Sequence, residues 1–85
     1  MEEFIGSNVV IDVGSQFVFL GRLAEVRSRW IVLKEADVHD LRDSKTTREL
    51  YILDSRNDGV RVNRRKVMIP ADQIVSISLL DDVVE

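Results

Sequence analysis

Phe17-Val18-Phe19-Leu20-Gly21-Arg22-Leu23-Ala24-Glu25-Val26 is the stretch on which the fold turns. Side chains alternate along a strand, so Phe17, Phe19 and Leu23 share one face and Val18, Leu20, Ala24 and Val26 share the other. Both faces are largely apolar, as in a strand that curves through a small core. Gly21 interrupts the run where a sharp bend would be crowded by any side chain, the plainer reading being a weak point in an ordinary strand. Upstream, Asn8 to Val13 is mostly branched aliphatic, and Gly14-Ser15 separates it from the decisive run, a hairpin signature. Downstream, polar Arg27-Ser28-Arg29 forms a turn. Trp30-Ile31-Val32-Leu33 then begins a third strand that fades into Glu35-Ala36-Asp37-Val38. Connections this short predict three antiparallel strands in meander order.

Further along, Asp40 to Lys45 is polar and reads as a loop. Leu50-Tyr51-Ile52-Leu53 is a short apolar run that periodicity cannot assign, so boundary signals decide. Thr46 and Glu49 stand in capping-box spacing, and Gly59 sits where a helix would end in a left-handed residue. These favour a helix over roughly 47 to 57, the alternative being an extension of the third strand. Val67 and Ile69 precede Pro70-Ala71-Asp72-Gln73, and Ile74 to Leu80 follows it. Proline cannot continue a central ladder, so the segment predicts a turn between two short strands, a small terminal hairpin.

Eighty-five residues leave room for one domain, spanning 1–85. A chain of this size buries only about 60% of the surface it exposes when unfolded, and association between copies would widen that narrow margin. Cysteine is absent, which excludes disulfides, thiolate metal sites and cysteine nucleophiles. No apolar run approaches the roughly 20 residues that span a bilayer, and Met1-Glu2-Glu3 lacks the basic flank of a signal peptide. We therefore expect a cytoplasmic location and no membrane contact. Twelve basic against fifteen acidic residues give a net charge of −3 and no general affinity for phosphate backbones. The charge is unevenly spread: Arg61, Arg64, Arg65 and Lys66 form one basic group, whereas Asp81, Asp82 and Glu85 make the C-terminus acidic.

The pattern resembles the Sm and Sm-like family. Val9 to about Asp37, with Phe19-Leu20-Gly21-Arg22-Leu23 at its centre, is similar to that family's first block of strand, turn, glycine-bent strand, loop and third strand. Lys66-Val67-Met68-Ile69-Pro70-Ala71-Asp72-Gln73-Ile74-Val75-Ser76-Ile77 resembles the second block. The resemblance implies a mostly β chain, a small, strongly bent, five-stranded antiparallel Sm-like (SH3-like) barrel. It would comprise a first block at 8–38, an inserted helix at 46–58 between strands 3 and 4, and a second block at 64–80. It also implies homo-oligomeric rings in which the fourth strand of one copy pairs with the fifth of the next. The interface would draw on Val67, Ile69, Ile74, Val75, Ile77 and Leu79. Members that bind uridine-rich RNA use an aspartate and an asparagine before the third strand and an arginine-glycine pair in the second block. The matching positions here are Arg27-Ser28-Arg29-Trp30 and Pro70-Ala71, so this chain is a divergent match without the uridine-pocket residues. The family's N-terminal helix is reduced to Glu2–Ile5, and the connection from Val38 to Asn63 is longer than usual.

His39 lies near Asp37, Asp40 and Asp43, but one imidazole among solvated acids is more often surface decoration than a metal ligand or general base. No phosphate loop or nucleophile motif occurs, so we expect no enzyme activity, no cofactor and no metal. Arg27, Arg29 and Trp30 offer donors beside an aromatic face able to stack on a nucleobase, against the plainer reading that Trp30 caps the core. Arg61, Arg64, Arg65 and Lys66 could contact several phosphates, or equally protect an edge or pair with the acidic C-terminus. Two functions follow as expectations. One is a ring-forming scaffold or protein-interaction module that docks partners around Leu50, Tyr51 and Leu53. The other is a non-standard RNA binder using its arginine-rich turns.

Overall fold

A computed structural model describes residues 1–43 and 45–85; Ser44, in the expected polar loop, lies outside the described residues. Five strands, β1 (Asn8–Val13), β2 (Phe17–Val26), β3 (Trp30–Asp40), β4 (Arg64–Pro70) and β5 (Ile74–Leu79), form one antiparallel sheet in the order β4-β3-β2-β1-β5. The meander and the helical insertion match the expected architecture. The terminal pair differs. Pro70 ends β4, a single 3₁₀ turn (Ala71–Gln73) follows, and β5 runs along β1 on the far side of the sheet instead of folding back as a hairpin. Because β4 and β5 are the outermost strands, each keeps one edge unpaired within the chain.

The bend has a local cause. A Cβ built on Gly21 would lie 2.9 Å from the Ala36 Cα and 3.2 Å from the Glu35 carbonyl oxygen, closer than side chains pack. Opposite it, Glu35 adopts φ 48°, and pairing slips so that Leu20 faces Asp37 while Arg22 faces Lys34. A bulge of this kind bends the strand and reverses which face each later residue occupies. Hence Ile31 and Leu33 join the inner cluster, Ala36 joins it too, and Asp37 and His39 turn outward. A second slip, between Leu23 and Glu25, corrects the simple alternation of β2: Val26 packs with Leu23 on the inner face, not with Leu20.

Two apolar layers result. The inner one gathers Val9, Ile11, Leu23, Ile31, Leu33, Ala36 and Ile69 within the curl of the sheet. The outer one sets Val10, Val18 and Leu20 against Tyr51 and Ile52 of α1 (Arg48–Asp58) and against Leu80. The insertion is therefore a helix, and its cap is Thr47, one residue later than the expected Thr46, with the hydroxyl accepting from the Leu50 amide at 3.2 Å. Gly59 ends it with φ 98° and donates its amide to Ser55 at 2.9 Å. Leu80, expected at the tip of the last strand, instead begins a 3₁₀ turn (Leu80–Asp82) and is buried beside α1. The N-terminal helix is one 3₁₀ turn, Glu2–Phe4. No helix among the described residues is long and apolar enough to cross a membrane.

Candidate functional site

The two loops singled out by sequence meet in space. Arg27 donates its amide to the Trp30 carbonyl at 2.8 Å, closing the β2–β3 turn. The Ala71 amide donates to the Arg29 carbonyl at 2.8 Å, tying that turn to the β4–β5 junction. Trp30 stands opposite Pro70 across the ladder. An open cleft of about 630 Å³ lies between them, lined by Ser28, Arg29, Trp30, Pro70, Ala71 and Asp72. Trp30 is 41% exposed, so it faces solvent at the cleft instead of capping the core. Arg27 is engaged with Glu25 at 3.1 Å, leaving Arg29 as the cation of the cleft with Asp72 as a carboxylate beside it. The sequence reading had not singled out Asp72, whose place in the turn after proline is the signal that marks it.

The remaining basic residues lie elsewhere. Arg64, Arg65 and Lys66 open β4, and Lys66, the nearest of them to Pro70, stands four residues before it, about 13 Å of strand. Lys66 sits directly opposite Lys34. Arg61 belongs to neither group: its guanidinium lies 5.5 Å from the centre of the Tyr51 ring.

The interface candidates divide by face. Ile69 is buried in the inner core, and Val67, Ile74, Ile77 and Leu79 pack partly against it, so what β4 and β5 offer outward along these positions is chiefly backbone. Val75 is the exception at 72% exposed; Val13 faces Ile74 and Asp12 faces Ser76, leaving Val75 as the extra residue of a bulge. Of the proposed docking trio, Tyr51 is buried, Leu53 half-buried and Leu50 exposed.

His39 does not assemble the three aspartates. Its ring stacks on Tyr51 with centroids 3.7 Å apart and planes 8° from parallel, and its Nε2 is buried without a hydrogen-bond partner among the described residues. Asp40 is held by Arg42 through paired contacts of 2.7 to 3.2 Å, which draw its carboxyl below the usual range. Asp37, 2% exposed, accepts from the Tyr51 hydroxyl and from Asn63 Nδ2 at 3.1 Å. Asn63 also bridges Val38, accepting from its amide at 2.9 Å and donating to its carbonyl at 3.0 Å. Burial first, then the bond to Asp37 and its negative charge, pushes the Tyr51 phenol up to about 12. Across the sheet, Arg48 forms an ion pair with Asp12, whose other oxygen accepts from Ser76 at 2.9 Å. The Tyr51–Asp37 and Arg48–Asp12 contacts fasten α1 to the outer face of the sheet; sequence reasoning missed them because their partners lie 14 and 36 residues apart.

The chain resembles solved Sm-type domains. The Sm protein of Pyrococcus abyssii, solved in complex with a uridine heptamer, superposes with a TM-score of 0.62 and 21% identity, over 92% of this chain and 89% of that one. The LSM domain of Dm Enhancer of Decapping 3 superposes with a TM-score of 0.57 and 20% identity, over 93% of this chain and 61% of that one. No protein-family model and no curated protein matches the chain. The likeness establishes an Sm-like fold.

Proposed function

We propose that this chain is a non-enzymatic Sm-like scaffold that assembles head-to-tail with copies of itself, the free edge of β4 in one copy pairing with the free edge of β5 in the next. The observation that carries this reading is the strand order, which leaves those two edges unpaired at opposite sides of one short sheet. Unpaired backbone along an exposed edge is a template for a further strand, and an edge of one kind meeting an edge of another generates rings when the rotation closes. Inner-layer residues Val67, Ile77 and Leu79 are only partly covered, so a neighbour's strand would extend the same core. The test is the mass in solution, by light scattering coupled to size exclusion with absorbance at 260 and 280 nm. We expect a multiple of 9.7 kDa; a monomer at high micromolar concentration overturns the reading.

A second reading is favoured by the cleft at Arg29 and Trp30. An exposed indole beside a guanidinium suits a stacked base, and one of the structural neighbours was solved with a uridine heptamer. Against it stand Pro70, which offers neither charge nor amide, and the Asp72 carboxylate. If RNA is the ligand, a 260 nm excess copurifies and Trp30→Ala removes it while the assembly mass persists.

A further inference from the structure

We infer that the basic start of β4 and the acidic C-terminus form an electrostatic latch between copies: Arg64, Arg65 and Lys66 of one chain engage Asp81 and Asp82 of the next. The inference rests on the head-to-tail reading above and names what fixes its direction and strength.

Three observations lead to it. Among the described residues, the side chains of Arg65, Lys66, Asp81, Asp82 and Glu85 make no ion pair or hydrogen bond, and Arg64 reaches only the carbonyl of its neighbour Asn63, at 2.9 Å. All of these residues are exposed. Lys66 faces Lys34 directly across the β3–β4 ladder, so the sheet itself sets like charges side by side, a costly arrangement unless an acid comes from outside. The opposite charges also sit on opposite borders of the sheet, one group opening β4 and the other following the end of β5.

Antiparallel pairing brings these groups together. The seven residues of β4 centred on the six of β5 set Arg64 against the Leu79–Leu80 end. Asp81 and Asp82 then follow in the 3₁₀ turn one to three residues beyond, about 2 to 6 Å at the rise of such a turn, within reach of an arginine side chain. Parallel pairing would set the cations against Gln73 and Ile74 and leave the acids beside Pro70, so charge selects the antiparallel orientation as well as the partner. On this account the densest run of positive charge in the chain is occupied by protein in the assembly and is not a phosphate site.

The test compares assembly of the full chain and three charge variants by sedimentation. For the natural sequence we expect the dissociation constant to rise about tenfold between roughly 50 mM and 500 mM sodium chloride, since exposed charges are screened over that range. R64E/R65E and D81K/D82K should each disperse, whereas an equimolar mixture of the two should assemble again, because every contact in an alternating arrangement is then attractive. That recovery also shows both variants to be folded. Variants that assemble as well as the natural chain overturn the latch and leave edge pairing intact. A natural chain that is monomeric at every salt concentration removes edge pairing and the latch with it. R64E/R65E that keeps its mass but loses an oligouridine bound by the natural chain overturns the latch in favour of an RNA contact.

Discussion

The concave and convex faces of the sheet are held by different physics. Within the curl, Val9, Ile11, Leu23, Ile31, Leu33 and Ile69 are almost fully buried aliphatics, held by dispersion and the removal of apolar surface from water. Outside it, Val10, Val18 and Leu20 are covered by a helix whose position is specified by polar contacts: Arg48 to Asp12 on β1, and Tyr51 to Asp37 on β3. The inner layer sets how much stability the chain has. The outer layer sets where an 11-residue helix rests, a task that directional bonds perform better than dispersion.

Breaking the inner layer should have the largest consequence. Leu23→Ala opens a cavity beneath the bend and should cost about 2 to 5 kcal/mol, read as one cooperative shift of the urea midpoint with every amide losing protection together. Loss confined to the strands, with α1 still protected, would show the layers to be independent.

Tyr51→Phe probes the outer layer alone. It leaves Asp37 buried with Asn63 as its one side-chain donor among the described residues, which should cost about 1 to 3 kcal/mol and speed amide exchange in α1 ahead of β1 and β2. The same contact predicts a pH response. The folded chain holds the phenol proton up to about 12, against an ordinary value of 10.0, so the contribution is complete below pH 10 and lost as pH rises toward 12. Ultraviolet titration of the single tyrosine measures this directly, and a midpoint at the ordinary value would mean that the Asp37 contact does not persist in solution.

Thr47→Ala should have the smallest effect, about 1 kcal/mol, through loss of the hydroxyl that accepts from Leu50. It sharpens the comparison because Thr46→Ala, one residue earlier, should leave that cap bond in place, so that exchange of the Leu50 amide quickens in Thr47→Ala alone; equal quickening of that amide in both variants would mean that the cap is not specific to Thr47.

The glycine-bent β2, the hairpin before it and the meander into β3 were legible because each rests on local rules: alternation, turn residues and the absence of a side chain at Gly21. The helix was legible only at its borders. Gly59 was identified correctly, but the capping-box spacing pointed to Thr46, whereas the helix is capped by Thr47 with Tyr51 and Ile52 packed in the layer that holds Leu20. At the candidate site, Arg29 and Trp30 were found from their turn and Asp72 was not. The apparent cluster of His39 with three aspartates dissolved because the bulge at Glu35 sends Asp37 and His39 beneath α1, while Arg42 holds Asp40.

By itself the sequence determined the strands, their bend and the charge at either end of the second block, since these depend on neighbours along the chain. Tertiary structure alone decided that β5 crosses to lie beside β1, that Trp30 stays in solvent above Pro70, and that the two borders of the sheet remain open. Those outcomes depend on contacts closed over dozens of residues, and a register slip of one position, as at Glu35, reverses every face that follows it.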